Sequence, residues 1–525
     1  MTDADPTLPP RLSTATFDRL NGLVTRAEDR SDDRAVTETF TGTEVSRVPE
    51  CAPADVTLAV ERARDAQDRW AERSVDERER VVRRFHDVVL DRQDELLDLA
   101  QLESGKSRAH AFDEVMDVTL TSRYYGYRAA DVLSTERRRP AVPLLSSPAE
   151  VVRHPVGVVG IISPWNYPIT LAVSDAVPAL LAGNAVVLKP AETTPYTALL
   201  LVELLREAGV PRDLVQVVTG DGATLGPPLV DDVDYVSFTG STETGREVAA
   251  AAGRNLVDCS MELGGKNPLL VLDDADLDAA VEGAVGACFT NAGQLCIGTE
   301  RVYVDESLYD EFRDRFVEAV SDLTLGTDYD YGVDVGSLAS ADQLETVREH
   351  VADARDRGAT VHCGGEPRPD VGPYFYDPTV LTDLPVDAEA ACEETFGPVV
   401  SLRPVSGERE AVDRANDTRY GLNASVWTEN RERGRAVARE VEAGTVTING
   451  GYVETWAAID APMGGMKESG IGRRHGPEGL LRYTESQTVA ARRRAITHPV
   501  GVQDGLEARA LTVALRLWRR LPFLR

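Results

Sequence analysis

The first regular pattern along the chain is helical. Between residues 55 and 73, Val56, Val60, Ala63, Ala66 and Trp70 recur at steps of three or four among charged residues, which puts one apolar stripe on a helix. The same spacing through 75–103 predicts a second amphipathic helix. The pattern then changes to "VGVVGIISP", "NAVVLKP", "LVQVVTG" and "VDYVSFTG", short β-rich runs that end in Gly or Pro. Helical stretches such as 197–208 separate them, so a parallel, doubly wound sheet is expected. A second alternating series follows residue 296: "RVYVDE" as a strand, 307–323 as a helix, "ATVHCGG" as a strand and "AVDRANDT" within a helix. That series predicts a second α/β domain, and no short-period repeat or low-complexity block interrupts either one.

The end of the chain departs from this pattern. Residues 492–525 carry eight arginines against Asp504 and Glu507, and "LEARALTVALRLWRRLPFLR" sets an apolar stripe opposite the arginines. Such a helix can lie on a membrane surface. Stripes of this kind more often pack within proteins, so docking on its own acidic subunit or a neighbour is favoured over weak peripheral membrane contact.

Composition narrows the class. A chain of 525 residues can hold two or three domains, and 27% charged with 42% hydrophobic residues fits a soluble globular protein. The formal charge of −31 repels nucleic acid and anionic membranes over most of the surface, so no nucleic-acid partner is expected. Only four of the 56 basic residues are lysines: Lys106, Lys189, Lys266 and Lys467. This acidic, arginine-rich surface suits a halophilic, high-salt cytoplasm, where repulsion is screened. GC-rich coding bias is the competing explanation. In either case the surviving lysines mark sites where a compact ammonium and a planar guanidinium are not interchangeable.

The six cysteines, Cys51, Cys259, Cys288, Cys296, Cys363 and Cys392, show neither CxxC pairs nor metal-ligand spacing, so no metal site is expected. The acidic, proline-broken start "MTDADPTLPP" is unlike a secretion leader, which points to reduced thiols and a cytoplasmic location. The apolar region 151–188 is interrupted by prolines and Asp175, so it is not read as a membrane span.

Candidate chemistry sits where strands give way to loops. "VDYVSFTGSTETGREVA" passes through Gly240 and Ser241 into a helix carrying Gly245; exposed N–H groups there can hold a phosphate, as an ordinary capped helix also would expose them. "VVLKPAETTP" spaces Lys189 and Glu192 to hold ribose hydroxyls or to form a surface pair. In "ISPWNYP", prolines restrict Trp165 and Asn166, and the Asn amide can donate to an oxyanion or merely satisfy a turn. "MELGGKNP" sets Glu262 before two glycines, as a general base with room for substrate or as a turn residue. Cys296, in "TNAGQLCIGTER", is a nucleophile or a small buried apolar residue.

Taken together, these segments resemble the NAD(P)-dependent aldehyde dehydrogenases. From about residue 35 to about residue 490 the chain carries "SPWNYP", "LKPAETTP", "FTGSTETG", "ELGGKNP", "NAGQLC", "EETFGPVV", "YGLNASVWT" and "PMGGMKESGIGR" in that family's order. The resemblance implies a Rossmann-type cofactor domain (18–139 and 157–264), an α/β catalytic domain (265–466) and a β oligomerisation arm (140–156 and 482–495), followed by the basic tail 496–525. A homodimer or homotetramer follows from the arm. Cys296 then looks like the nucleophile, attacking the aldehyde to give a thiohemiacetal and, after hydride loss, a thioester. Asn166 and the Cys296 N–H would stabilise the oxyanion, and Glu262 would activate the hydrolytic water.

By the same resemblance, Lys189 and Glu192 meet the adenosine ribose, while Trp165 and Ser241 lie near the pyrophosphate beside Gly240, Gly245 and Leu263. Glu394 resembles the residue on the nicotinamide ribose, and Phe396 the one packed beside that ring. A carboxylate at 192 repels a 2′-phosphate, so NAD is expected ahead of NADP.

Overall the chain is most similar to a bacterial branch named as succinate-semialdehyde dehydrogenases. Better-understood members use two arginines on the substrate carboxylate, at positions that here are Ser174 and Thr290. An unpaired buried carboxylate is costly, so Arg123 in "SRYYGY" is the candidate replacement, against the plainer alternative of a surface helix arginine. Tyr124, Tyr125, Tyr452 and Trp456 would equally suit a neutral aromatic or medium-chain aldehyde. A cysteine thioesterase or esterase without redox chemistry is a further rival that the cofactor motifs oppose. A non-catalytic scaffold is another, opposed by the intact Cys, Glu and Asn set.

Overall fold

The structure, a computed structural model, describes residues 8–9, 11–27, 32–140, 147–491 and 505–519. It divides into two compact units, Met1–Leu133 with His154–Glu485, and Ser134–Arg153 with Ser486–Arg525.

The larger unit is α/β and holds two sheets of mainly parallel strands. In the six-stranded sheet the order is Gly470–Ile471, Asp258–Glu262, Tyr235–Thr239, Val158–Ile162, Ala185–Lys189 and Val215–Val217. All neighbours are parallel except Gly470–Ile471, which runs antiparallel to Asp258–Glu262. The chain builds outward from Val158–Ile162 in one direction and then returns to its other side with Tyr235–Thr239. That reversal opens a crevice at the carboxyl ends of these two strands, where open α/β sheets bind ligands. Every residue of Ala185–Lys189 and Tyr235–Thr239 is buried, as helices on both faces require.

The seven-stranded sheet has the order Thr360–Cys363, Thr379–Thr382, Val399–Val405, Thr299–Asp305, Asn267–Val271, Asn423–Trp427 and Thr445–Ile448. Only its first pair is antiparallel. Helix Leu277–Phe289 crosses between Asn267–Val271 and Thr299–Asp305, and Cys296 lies in the connection that follows it.

The N-terminal helices differ in one respect from the sequence expectation. Pro53–Ala71 forms, with Val56, Val60, Ala63, Ala66 and Trp70 all buried. The stretch 75–103 is not one helix but two, Val75–Asp91 and Gln93–Ser104. Arg92 between them has φ −111° and ψ 16°, outside the helical well. Its guanidinium is drawn to Glu95, Glu203 and Glu207, while the apolar periodicity runs through the break unchanged.

The smaller unit contains most of a three-stranded sheet, Thr484–Val489, Ala149–Pro155 and Glu136–Arg138 in that order. It begins at Ser134, earlier than the expected 140, and it includes helix Gly505–Trp518. Leu506, Val513, Leu515 and Leu517 of that helix are exposed. The expected arm and tail segments 141–146, 492–504 and 520–525 lie outside the described residues. Among the described residues no helix is long and apolar enough to cross a membrane, and no cluster of metal-ligating side chains occurs.

Candidate active site

At the crevice a cavity of about 260 Å3 is lined by Pro164, Trp165, Asn166, Thr239, Gly240, Ser241, Glu262, Leu263, Gly264, Cys296, Gln343, Glu394 and Phe396. Nine of the residues singled out in the sequence therefore converge: Cys296, Glu262, Asn166, Trp165, Gly240, Ser241, Leu263, Glu394 and Phe396.

The loop that carries Cys296 is strained and tightly braced. Asn291 and Ala292 have φ of 51° and 54°, a left-handed conformation that non-glycine residues adopt at a cost of about 1–3 kcal/mol each. Side-chain amides hold the turn. Asn291 Nδ2 donates to the carbonyls of Asn166 (3.0 Å) and Gln294 (3.1 Å). Gln294 Nε2 donates to the carbonyls of Asn291 (3.0 Å) and Ser337 (3.2 Å), and its Oε1 accepts from Ala339 N (2.9 Å). The Asn291 N–H donates to His110 Nδ1 at 3.1 Å. The Asn and Gln of "NAGQLC" are thus structural bracing for the cysteine.

Asn166 is buried, and its Nδ2 donates to Gln294 O at 3.1 Å, beside the Cys296 loop. Lys106, fully buried, donates to the Asn166 carbonyl at 2.8 Å, pairs with Glu114 and lies 4.2 Å from the centroid of the Tyr167 ring. Glu114 also accepts from the N–H groups of Ile169 (2.8 Å) and Thr170 (3.0 Å), which start the following helix. The lysine retained in "ESGK" therefore anchors "PWNYP" from beneath.

The two glycines after Glu262 and Leu263 permit close approaches. A Cβ on Gly264 would lie 2.4 Å from Glu394 Oε2, and one on Gly265 would lie 2.6 Å from the Cys296 carbonyl oxygen. Glu394 Oε1 accepts from Gly265 N at 2.8 Å. Lys266 pairs with buried Glu300, whose oxygens accept from Thr395 N (3.0 Å) and Phe396 N (2.9 Å). Gln343, which the sequence did not single out, donates to the carbonyls of Thr395 (3.1 Å) and Phe396 (2.8 Å). These bonds fix the loop that presents Glu394 and Phe396, and Phe396 meets Trp165 edge-on at 5.6 Å.

The titratable groups that line the cavity are all acids: Glu262, Glu394 and the Cys296 thiol. Burial pushes the Glu262 carboxyl up to about 7 against the pull of Arg474 and Arg482, and its Oε1 has no hydrogen-bond partner among the described residues. Burial and Glu300 push Glu394 up to about 8. The Cys296 thiol is pushed up to about 12 by burial and by the nearby Glu394 and Glu262. The expectation of a nucleophile with a lowered pKa is therefore not met by this chain alone: neighbouring carboxylates disfavour the thiolate.

Ser241 caps helix Thr242–Asn255, accepting from Thr244 N at 3.2 Å. Gly245, one turn along, stands against the Leu263 side chain. Lys189 and Glu192 lie outside the cavity lining and form an ion pair of 2.7 Å just past the adjacent strand, with Glu192 Oε1 also accepting from Gly222 N at 2.6 Å. Burial would raise the Glu192 carboxyl, but Lys189 and the Gly222 amide outweigh it and keep it ionised. A capped helix N-terminus at Ser241, the small residue Gly240 beside it, and the Lys189–Glu192 pair fit a dinucleotide.

The substrate candidates separate. Tyr452 and Trp456 pack with Cys296 in a cluster containing Tyr167, Leu171, Leu295 and Ile297, with ring centroids of Tyr452 and Trp456 4.9 Å apart. Tyr452 Oη donates to half-buried Asp113 at 3.0 Å. Ser174 and Thr290 are both buried, and Ser174 Oγ has no partner among the described residues. Arg123 is exposed on helix Arg108–Val132 and does not line the cavity, so the structure does not bring it to the cysteine. The sequence also missed Asp113, Asp175, Arg474 and Arg482, whose partners are hundreds of residues away and follow no local pattern.

Residues 25–489 match the Aldehyde dehydrogenase family. A protein of Mycolicibacterium smegmatis, provisionally named as a succinate-semialdehyde dehydrogenase of the NADP+ type, is 49% identical over 515 residues, 98% of this chain and 99% of that one. A glutarate-semialdehyde dehydrogenase of Pseudomonas aeruginosa is 37% identical over 449 residues, 85% and 91% of the two chains. Among solved structures, a betaine aldehyde dehydrogenase of Staphylococcus aureus in complex with NAD+ superposes with a TM-score of 0.84 at 32% identity, covering 89% of this chain and 95% of that one.

Proposed function

The chain belongs to the aldehyde dehydrogenase family and is an oxidoreductase that converts an aldehyde to its carboxylate with NAD(P); on that premise we propose that Cys296, Glu262 and Asn166 carry the reaction, with succinate semialdehyde as substrate. The observation that carries the assignment is their convergence on one cavity with Trp165, Ser241, Glu394 and Phe396.

Trp165, Ser241, Glu394 and Phe396 would hold a nicotinamide cofactor, which would supply a hydride acceptor and a positive charge. The residues do the rest. Cys296 gives up its proton to Glu262, the acceptor titrating near neutrality, and its sulfur bonds to the aldehyde carbon. The second amide hydrogen of Asn166 meets the resulting oxyanion. After oxidation to the thioester, Glu262 releases the thiol's proton to solvent and, ionised again, takes a proton from water as that water attacks. The C–S bond then breaks, releasing the acid and returning the Cys296 thiolate.

Glu192 favours NAD, because its ionised carboxylate opposes a 2′-phosphate, while its pairing with Lys189 offsets part of that repulsion. The relatives' NADP+ names make this preference modest. The substrate carboxylate would be met by the hydroxyls of Ser174, Thr290 and Tyr452 in place of arginines. Asp113, bonded to Tyr452, opposes an anion there, so retention by hydroxyls predicts a high KM. The six-stranded sheet would serve the cofactor, the seven-stranded sheet the nucleophile, and the small three-stranded sheet subunit association in a cytoplasmic, salt-adapted oligomer.

The deciding experiment is reduced-nicotinamide formation in molar potassium chloride, comparing succinate semialdehyde with benzaldehyde and a medium-chain aldehyde, each with NAD and NADP. Preference for succinate semialdehyde supports the hydroxyl anchor. Preference for the neutral aldehydes discards it and assigns the pocket to Tyr452 and Trp456.

A further inference from the structure

Behind Glu262 lies a buried charge cluster that the reaction scheme above does not use. Asp175 is almost fully buried and is gripped by two guanidiniums. Arg474 donates from Nη2 (2.6 Å) and Nε (3.1 Å), and Arg482 donates from Nη2. Ser237 Oγ adds a bond of 2.7 Å to the same carboxylate. Burial alone would raise the Asp175 carboxyl, but Arg474 and Arg482 outweigh it and hold it well below the usual range.

The fold ties this cluster to the base by two routes. Strand Gly470–Ile471 pairs antiparallel with Asp258–Glu262, Gly470 opposite Glu262, so the turn that follows carries Arg474 to that strand end. Arg474 and Met463 exchange backbone bonds of 2.6 and 2.8 Å, which fix the turn. From there Arg474 Nη2 reaches Thr239 Oγ1 at 2.6 Å, and Thr239 is the register partner of Glu262 on the adjacent strand. Among the described residues unpaired groups remain: Glu262 Oε1 has no donor, and Arg482 Nε and Nη1 have no acceptor. The charged groups that face Glu262 are Arg473, Arg474, Arg482 and Asp175, with Cys296 and Glu394 across the cavity. With Glu262 ionised, the buried set of Arg474, Arg482, Asp175 and Glu262 is neutral. With Glu262 protonated it carries an excess positive charge.

We propose that the Asp175–Arg474–Arg482 cluster is an electrostatic clamp on Glu262, which holds the base at the cavity wall and sets the pH at which it becomes an anion. Arg474 is the positioning residue and Asp175 is the counterweight that limits its pull. The proposal rests on Glu262 being the base of thioester hydrolysis.

The test is the pH profile of thioester hydrolysis in the full-length enzyme with saturating cofactor, measured after single-turnover acylation. Asp175→Asn leaves the guanidiniums uncompensated and should move the midpoint of the rising limb to lower pH. Arg474→Met should move it to higher pH, by about one unit, and Arg474→Lys should stay near the parent. Arg482→Met should move it upward as well and serves if Arg474→Met does not fold. Because the cluster is buried, these midpoints should hold in low and in molar potassium chloride. Opposite shifts in the Asp175 and arginine variants are not produced by general loosening. Unchanged midpoints, or shifts of one sign, overturn the clamp. A limb that survives intact in Glu262→Gln instead overturns the assignment of the base.

Discussion

Lys106 Nζ lies 2.8 Å from the carbonyl oxygen of Asn166, so the residue assigned to the oxyanion is braced by a fully buried ammonium. Arginine fills nearly every other basic position, and the space between Glu114, Tyr167 and Asn166 explains why it does not fill this one.

Lys106→Arg should overpack that space and cost about 1–3 kcal/mol of stability, with a larger loss of acylation rate as Asn166 is displaced. Lys106→Met should cost more, about 3–5 kcal/mol, because Glu114 is left buried without its partner. Denaturant unfolding in potassium chloride, with burst kinetics on the same samples, checks both.

Glu262→Gln should keep the first-turnover burst of reduced nicotinamide when the assay is run at high pH, where the thiol can ionise unaided. Steady-state turnover should fall by roughly 10²–10⁴-fold. In the parent, activity should rise with pH through about 7, because the base works ionised and burial has raised its carboxyl. A steady-state rate equal to the parent's would remove Glu262 from its role.

Cys296→Ala should abolish both aldehyde oxidation and ester hydrolysis. In the parent without cofactor, alkylation of Cys296 by iodoacetamide should be slow at neutral pH and accelerate about tenfold per pH unit. Saturating cofactor should speed it at fixed pH. Peptide mapping separates Cys296 from exposed Cys392.

Glu192→Gln should improve kcat/KM with NADP and leave the NAD value within a few-fold. Steady-state kinetics with both cofactors measures the ratio. No change in the NADP value would show that the ion pair with Lys189 already cancels the repulsion.

Gly264→Ala would bring a methyl group to 2.4 Å from Glu394 Oε2. The expected result is a folded protein with weakened cofactor binding, read by nicotinamide-cofactor titration, because the carboxylate must leave its bond to Gly265 N.

What the sequence showed and what it hid divide along physical lines. Asn166, Ser241 and Glu262 each lie at or just past a strand end, and strand ends are visible as β-rich runs stopped by Gly or Pro. Glu394 and Phe396 were legible only through the family resemblance, since their loop is held by Glu300, nearly a hundred residues earlier. The break at Arg92 was hidden because apolar spacing continues across it, and only the pull of three glutamates distinguishes it. Arg123 was attractive for its charge and its aromatic neighbours, but helix Arg108–Val132 turns it outward. The pairing of Asp175 with Arg474 and Arg482 joins positions 299 and 307 residues apart, and no window of sequence contains it.

Asn166 and Ser241 belong to connections of the six-stranded sheet and Glu262 ends one of its strands, while Cys296, Glu394 and Phe396 belong to connections of the seven-stranded one. The catalytic set is thus a seam. Neither bank has a nucleophile and a base of its own, and the two meet through bonds such as Asn291 to the Asn166 carbonyl and through the packing of Tyr167 and Leu171 on Leu295 and Ile297. Heating should open such a seam before either sheet melts, so inactivation should precede the loss of helical signal. A chain severed between the sheets should regain turnover only when both fragments are supplied together.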